Sequence, residues 1–113
     1  MTREDPRKGE APLTEAMYYL MVALTEPLHG YGIMRAVKEM SNGRVVLGPG
    51  TLYGALTNLM GKSYIRRFPA RDTDGRRKTY ALTDRGRRVL KGEIARLSEL
   101  ARAGRIAAAR NGG

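Results

Sequence analysis

Residues 48–62, Gly-Pro-Gly-Thr-Leu-Tyr-Gly-Ala-Leu-Thr-Asn-Leu-Met-Gly-Lys, admit few folds because their two sides are so unlike. Leu52, Ala55, Leu56, Leu59 and Met60 recur at i, i+3, i+4, i+7 and i+8, which stacks one apolar stripe along a single helical face. Pro49 suits the first position of that helix, and the stripe has to pack on a core. The other side carries Gly50, Gly54, Thr57, Asn58 and Gly61, with Tyr53 and Lys62 at its margins, and is almost bare of side chains. A glycine inside a helix costs about 1 kcal/mol relative to alanine, so Gly54 and Gly61 answer to something other than helix stability. Close approach of another backbone is the simplest such requirement. Thr57, Asn58 and Lys62 can donate hydrogen bonds, and the Tyr53 phenol can reach a phosphate. Such a surface suits a nucleic-acid groove, although a tightly packed neighbouring helix would use the same glycines. Gly61-Lys62-Ser63 matches the end of a nucleotide-binding P-loop, but that motif requires glycine at position 56, which is Leu56.

Charge points the same way. Lys and Arg number 21 against 11 Asp and Glu, a formal net charge of +10 with a sequence pI near 10.5, which favours polyanionic partners. At 113 residues the chain is long enough for one domain with a conventional core. It has no cysteine, hence no disulfide framework and no thiolate metal site, which fits a reducing cytoplasm. The first residues lack the apolar core of a secretion signal, and no run of about 18 apolar residues offers a membrane span. The expected localisation is cytoplasmic, on the nucleoid when DNA is bound. No cofactor or metal is expected, and no enzymatic activity. His29 is the only histidine, and no carboxylate pair or ligand cluster has usable spacing.

Read in order, residues 1–12 are charged, contain two prolines and form a flexible arm. Thr14 caps a helix running to about residue 26, with Leu13, Met17, Leu20, Met21 and Leu24 as core stripe. Its back, Tyr18, Tyr19, Val22 and Ala23, is also apolar, and in so short a chain a second subunit is the natural cover. Residues 27–30 break the chain. A second helix then carries Ile33, Met34, Val37 and Met40 until Ser41-Asn42-Gly43. Arg44-Val45-Val46-Leu47 reads as a brief strand. Two helices followed by a groove-facing third form a helix-turn-helix unit.

Residues 64–70 and 76–82 then read as two strands of a hairpin turned at Asp74-Gly75. Arg66, Arg67, Arg71, Arg76, Arg77 and Lys78 crowd it, opposed by Asp72 and Asp74, so it can lie as a wing against phosphates. Thr83 caps the last helix, and Leu90, Ile94, Leu97 and Ala101 form a heptad-like seam among Arg and Lys residues. The expectation is a mainly α fold with a small β-hairpin. It comprises an arm (1–12), a winged helix-turn-helix (13–83) and a C-terminal dimerisation helix (84–110). Thr51, Thr57 and Asn58 are the candidates for base edges, around Gly54, and Tyr53, Lys62, Arg76, Arg77 and Lys78 for phosphates. Tyr18, Tyr19, Val22, Leu90, Ile94, Leu97 and Ala101 are the candidates for dimerisation. A basic module binding RNA or a ribosomal surface by charge, without duplex sequence preference, is the alternative.

Three blocks of the sequence resemble one family. Leu28-His29-Gly30-Tyr31-Gly32-Ile33, Leu47-Gly48-Pro49-Gly50-Thr51-Leu52-Tyr53-Gly54-Ala55-Leu56 and Arg77-Lys78-Thr79-Tyr80-Ala81-Leu82-Thr83-Asp84-Arg85-Gly86 are similar to signature blocks of PadR-type winged-helix transcriptional regulators. The likeness runs from residue 13 to about 100. It departs from the usual pattern of a charged residue and a glycine where this chain has Gly61 and Ser63, and its single helix after the wing resembles the short-tailed branch. The resemblance implies a homodimeric repressor that reads the major groove with the helix from Pro49 and uses 66–80 as wing. It adds Tyr31 and Tyr80 to the DNA-binding candidates. It also implies release by an aromatic small molecule, lodged near Tyr18, Tyr19 and Leu97.

Overall fold

The computed structural model describes residues 12–68 and 78–112. Thr14 caps the first helix, α1 (Glu15–Ala23), its hydroxyl accepting the Met17 amide at 3.2 Å. A two-residue strand, β1 (Leu28–His29), leads directly into α2 (Gly30–Met40), where the His29 imidazole is the N-cap and its Nδ1 accepts the Gly32 amide at 3.1 Å. The lone histidine is thus a helix cap. Helix α2 ends in two left-handed residues, Asn42 (φ 54°) and Gly43 (φ 79°). The recognition candidate, α3 (Pro49–Gly61), follows with Gly48 at its N-cap and Pro49 in its first turn. Strands β2 (Ile65–Phe68) and β3 (Thr79–Leu82) precede the long α4 (Asp84–Arg110), capped by the Thr83 hydroxyl on the Gly86 amide.

Two strand expectations change. The 44–47 segment is not a strand, because the buried Ser41 hydroxyl accepts the Val45 amide at 2.9 Å and so satisfies locally the donor a strand partner would have taken. The third strand is instead Leu28–His29, which sequence reasoning took as a break. The sheet is antiparallel in the order β1-β3-β2, with Leu28 opposite Tyr80, and Ile65, Arg66 and Arg67 opposite Leu82, Ala81 and Tyr80. The expected hairpin turn at Asp74-Gly75, like residues 1–11 of the expected arm 1–12, lies outside the described residues.

One core joins every helix to the sheet. Leu20, Met21 and Leu24 of α1, Ile33 and Val37 of α2, Leu52, Leu56 and Leu59 of α3, Tyr64, Ile65, Tyr80 and Leu82 around the strands, and Leu90 of α4 are all buried in it. Full burial of a leucine stabilises by about 1.5–3 kcal/mol, so the three leucines of α3 fix how that helix rolls. The stripe expected on α1 is the observed one, with Leu13 and Met17 at its partly buried edge. No helix among the described residues is long and apolar enough to cross a membrane.

Among the described glycines, the closest approach is at the junction between sheet and α4. Thr83 donates its hydroxyl to the carbonyls of Ser63 (2.6 Å) and Tyr64 (3.1 Å), and its amide to Tyr64 (3.0 Å). Helix α4 comes so close here that a Cβ on Gly86 would run into the Tyr64 carbonyl oxygen. Farther along, Glu93 is 7% exposed and anchors the start of the chain, accepting the Leu13 amide at 2.7 Å and a two-point contact from Arg96 at 2.7 and 2.8 Å. The Arg96 guanidinium and the Leu13 amide hold the Glu93 carboxyl below its ordinary pKa against an opposing effect of burial.

Gly86→Ala is expected to destabilise by about 3 kcal/mol, since the clashing atom is backbone and cannot swing away; thermal unfolding should show a Tm lowered by more than about 10 °C. Because the folded pKa of Glu93 lies below the unfolded one, its contribution is complete above the ordinary carboxyl range and disappears as pH falls through the lowered value. Urea denaturation of Glu93→Gln should therefore show a loss of about 1–3 kcal/mol at pH 7 that shrinks progressively below about pH 4.

Candidate nucleic-acid interface

The apolar underside of α3 decides what its outer side can do. With Leu52, Leu56 and Leu59 turned into the core, Gly50, Thr51, Tyr53, Gly54, Thr57, Asn58 and Gly61 all stand exposed. A Cβ placed on Gly48, Gly50, Gly54 or Gly61 would find no atom within 4 Å. These glycines therefore serve no close packing inside the protomer. Among the described glycines, the close approaches are made at Gly86 and at Gly30, where a Cβ would sit 2.9 Å from the Tyr53 hydroxyl oxygen.

Along this strip the polar groups differ in what they have left to offer. Thr57 donates its hydroxyl to the Tyr53 carbonyl at 2.9 Å, so only its oxygen lone pairs remain. The Asn58 side chain makes no bond to another described residue and keeps both donors and its acceptor. Helix α3 closes just beyond, with the Ser63 amide on Met60 O (2.9 Å), the Tyr64 amide on Leu59 O (3.0 Å) and Ser63 left-handed at φ 62°. That is a Schellman closure with serine where glycine is the usual residue, so the departure at Ser63 leaves the helix end intact.

Cations flank the strip. The Lys62 ammonium lies 5.8 Å from the centre of the Tyr64 ring and the Arg85 guanidinium 5.6 Å from the same centre, while Arg85 Nε donates to the Lys62 carbonyl at 3.2 Å. Sequence reasoning had no role for Arg85. Its neighbour Asp84 reads as a helix-start residue, and only the fold brings it to the end of α3. Lys78, Arg66 and Arg67 are exposed beside β2 and β3, and Arg76 and Arg77 lie outside the described residues. Tyr31 is 68% exposed and lines, with Met34, Val46 and Leu47, an open cleft of about 620 Å³.

Two candidates sit elsewhere than expected. Tyr80 is 3% exposed, its ring in the core rather than on the wing surface, and burial raises the pKa of its phenol. Tyr80 and Leu82 share one sheet face, and that spacing of two bulky apolar residues was the available signal. Leu90 is likewise committed to the protomer's own core, so the exposed part of the α4 seam begins at Ile94 and continues through Leu97, with Leu100, Ala101 and Ile106 also exposed. Tyr18, Tyr19 and Val22 are half-buried on α1, the two rings edge to face at 6.0 Å. Among the described residues no group of three or more His, Cys, Asp and Glu could hold a metal.

Comparison with known proteins supports this frame. The profile of the transcriptional regulator PadR-like family matches residues 19–92. Among solved structures, a PadR-like transcription factor from Bacteroides fragilis is 28% identical, with 80% of this chain and 87% of that one covered at a TM-score of 0.66. A PadR family transcription regulator from Clostridium difficile is 25% identical, covering 77% and 92% at 0.63. A RosR complex, a protein of H. salinarum, shares the fold over 96% and 97% of the two chains at 0.69 and 24% identity. An uncharacterized 37.1 kDa protein in a transposon of Streptomyces fradiae is 41% identical over 88 residues, which are 74% of this chain; the match spans about a quarter (24%) of that relative's length.

If the glycine strip faces open space, Gly54→Ala should stabilise the free protein by about 1 kcal/mol through helix propensity alone, read as a raised Tm. A lowered Tm would mean that the site is packed against protein.

Proposed function

The chain belongs to the PadR-like family of transcriptional regulators, and on that premise we propose that it is a homodimeric repressor that binds a pseudo-palindromic DNA operator. The observation that carries the reading is the open strip of α3: glycines with empty space above them, on a helix whose other side is locked into the core. A helix so bare lets its backbone sink close to base edges. Asn58 is the residue with an unspent amide, suited to a bidentate bond with adenine. Thr51 and Thr57 stand beside it on the same exposed side, Thr57 as an acceptor only. Tyr53, Lys62 and Lys78, with Arg76 and Arg77, would take phosphates, assisted by Arg85.

Pairing of two chains is supported by α4, whose Ile94, Leu97, Leu100 and Ile106 are exposed large apolar side chains at 38–58%. Joined with the half-buried Tyr18, Tyr19 and Val22 of α1, they form the surface through which two protomers would meet. An aromatic effector of the kind the resemblance implies would enter at that joint. Two recognition helices would then address successive major grooves roughly 34 Å apart, and occupancy of promoter DNA would block transcription. Proteins of this family are transcriptional regulators, not enzymes.

Footprinting on the DNA upstream of the protein's own gene should reveal a protected inverted repeat; protection without symmetry, or equal affinity for RNA and duplex, would favour a charge-driven module instead. Asn58→Ala should change the ranking of operator variants by about 1–3 kcal/mol at one base position. Lys78→Ala should weaken all duplexes alike and reduce the salt slope by about 1 in an anisotropy titration.

A further inference from the structure

The open cleft of about 620 Å³ lies between α2 and the connector that follows it, and none of its lining residues belongs to the α3 strip or to the α1–α4 joint. Its volume falls within the span of small-molecule sites, roughly 300–1,000 Å³. Tyr31, Met34, Val46 and Leu47 give it an apolar lining. Val46 is 65% exposed there and lies outside the core, yet its segment is firmly held. The buried Ser41 hydroxyl accepts the Val45 amide at 2.9 Å and shares its proton between the Val45 and Lys38 carbonyls, each at 3.3 Å. An apolar side chain fixed in the open by its own backbone leaves the cleft formed before anything fills it.

The polar groups of the cleft gather at the other end of α2. Arg35 and Glu39 line it as a pair, with Nε 3.0 Å from the carboxylate, so their charges cancel. Lys38, in the last turn of the helix, has no partner among the described residues, and neither has the Asn42 side chain just beyond. The carbonyls of Val37, Lys38 and Glu39 are already taken by the amides of Ser41, Gly43 and Asn42. What this end offers an incoming group is therefore one uncompensated ammonium and one amide donor.

We propose that this cleft binds an amphipathic organic anion, a small molecule with one carboxylate or sulfonate head on an apolar body. The head meets Lys38 and Asn42, and the body lies over Met34 and Val46 toward the Tyr31 ring. Tyr31 and Lys38 are seven residues apart on α2, roughly 10 Å along its axis, which sets the length of that body. A polar anion would leave the apolar lining in water, and an apolar molecule would leave Lys38 without a counter-charge. The net charge of +10 favours anions at the rim. This site stands apart from the α1–α4 joint and does not depend on whether α3 binds duplex.

The test is titration of the DNA-free protein with anilinonaphthalenesulfonate, followed through backbone amide resonances. Those of Asn42, Gly43 and Val46 should move together and saturate, while those of Ile94, Leu97 and Leu100 stay in place. Lys38→Ala should weaken binding about tenfold, whereas Lys91→Ala, on α4, should leave it unchanged. N-phenylnaphthylamine, the same rings without the sulfonate, should also bind about tenfold more weakly. Val46→Asp should abolish binding at an unchanged Tm, because its side chain is outside the core. Shifts confined to α4, equal losses from Lys38→Ala and Lys91→Ala, or equal affinity for the uncharged rings would overturn the proposal. So would movement of the same three amides with protein concentration alone, which would make the occupant a second copy, or with duplex alone, which would assign the cleft to the DNA surface.

Discussion

Burial of Leu52, Leu56 and Leu59 is the constraint from which the remaining features of this protein follow. Their spacing of four and three residues along α3 gives the helix a single apolar line, and burial of that line fixes its roll to within the width of a side chain. Once the roll is fixed, Gly50, Gly54, Asn58 and Gly61 have no choice but to face outward. A helix stabilised from below in this way tolerates glycines on top, whose propensity cost of about 1 kcal/mol each is smaller than the gain from any one of the buried leucines.

The elements around α3 make that presentation rigid. Its C-terminus is closed by the Ser63 and Tyr64 amides, the same Ser63 and Tyr64 carbonyls receive the Thr83 hydroxyl, and Gly86 lets α4 press on the Tyr64 peptide. Helix α3, sheet and long C-terminal helix thus meet within a few residues. The buried Glu93 ties the start of α1 to α4 through the Leu13 amide, across 80 residues of sequence. The exposed apolar face of α4 beyond Glu93 therefore extends from a point anchored to the body.

Much of this was legible in the sequence and the remainder was not, for reasons specific to each residue. The helices announce themselves by apolar period, and Thr14, Pro49 and Thr83 mark their starts through cap chemistry that acts over three or four residues. Strand β1 was invisible because two residues cannot display an alternation, and its existence depends on β3, some fifty positions later. Residues 44–47 have the composition of a strand, but the Ser41 hydroxyl, four positions before the Val45 amide it accepts, outcompetes any strand partner. Glu93 reads as one more charge on a basic helix, since nothing local reveals that an amide from residue 13 will reach it. Gly86 is likewise only a weak helix residue until the Tyr64 carbonyl is placed opposite it. On the candidate surface, the bare strip was readable from period alone, whereas Arg85 and the position of the Tyr80 ring required the fold.

The central claim is that the Gly54 strip is open in the free protein and covered by duplex DNA. Because the chain contains no cysteine, Gly54→Cys introduces a single thiol at the centre of that strip, where its Cβ meets nothing. The rate of thiol alkylation, measured with and without saturating duplex, then reports on cover directly. The account predicts rapid modification of the free protein and sharp protection by duplex. Slow modification without DNA, or a rate that saturating duplex leaves unchanged, would contradict it.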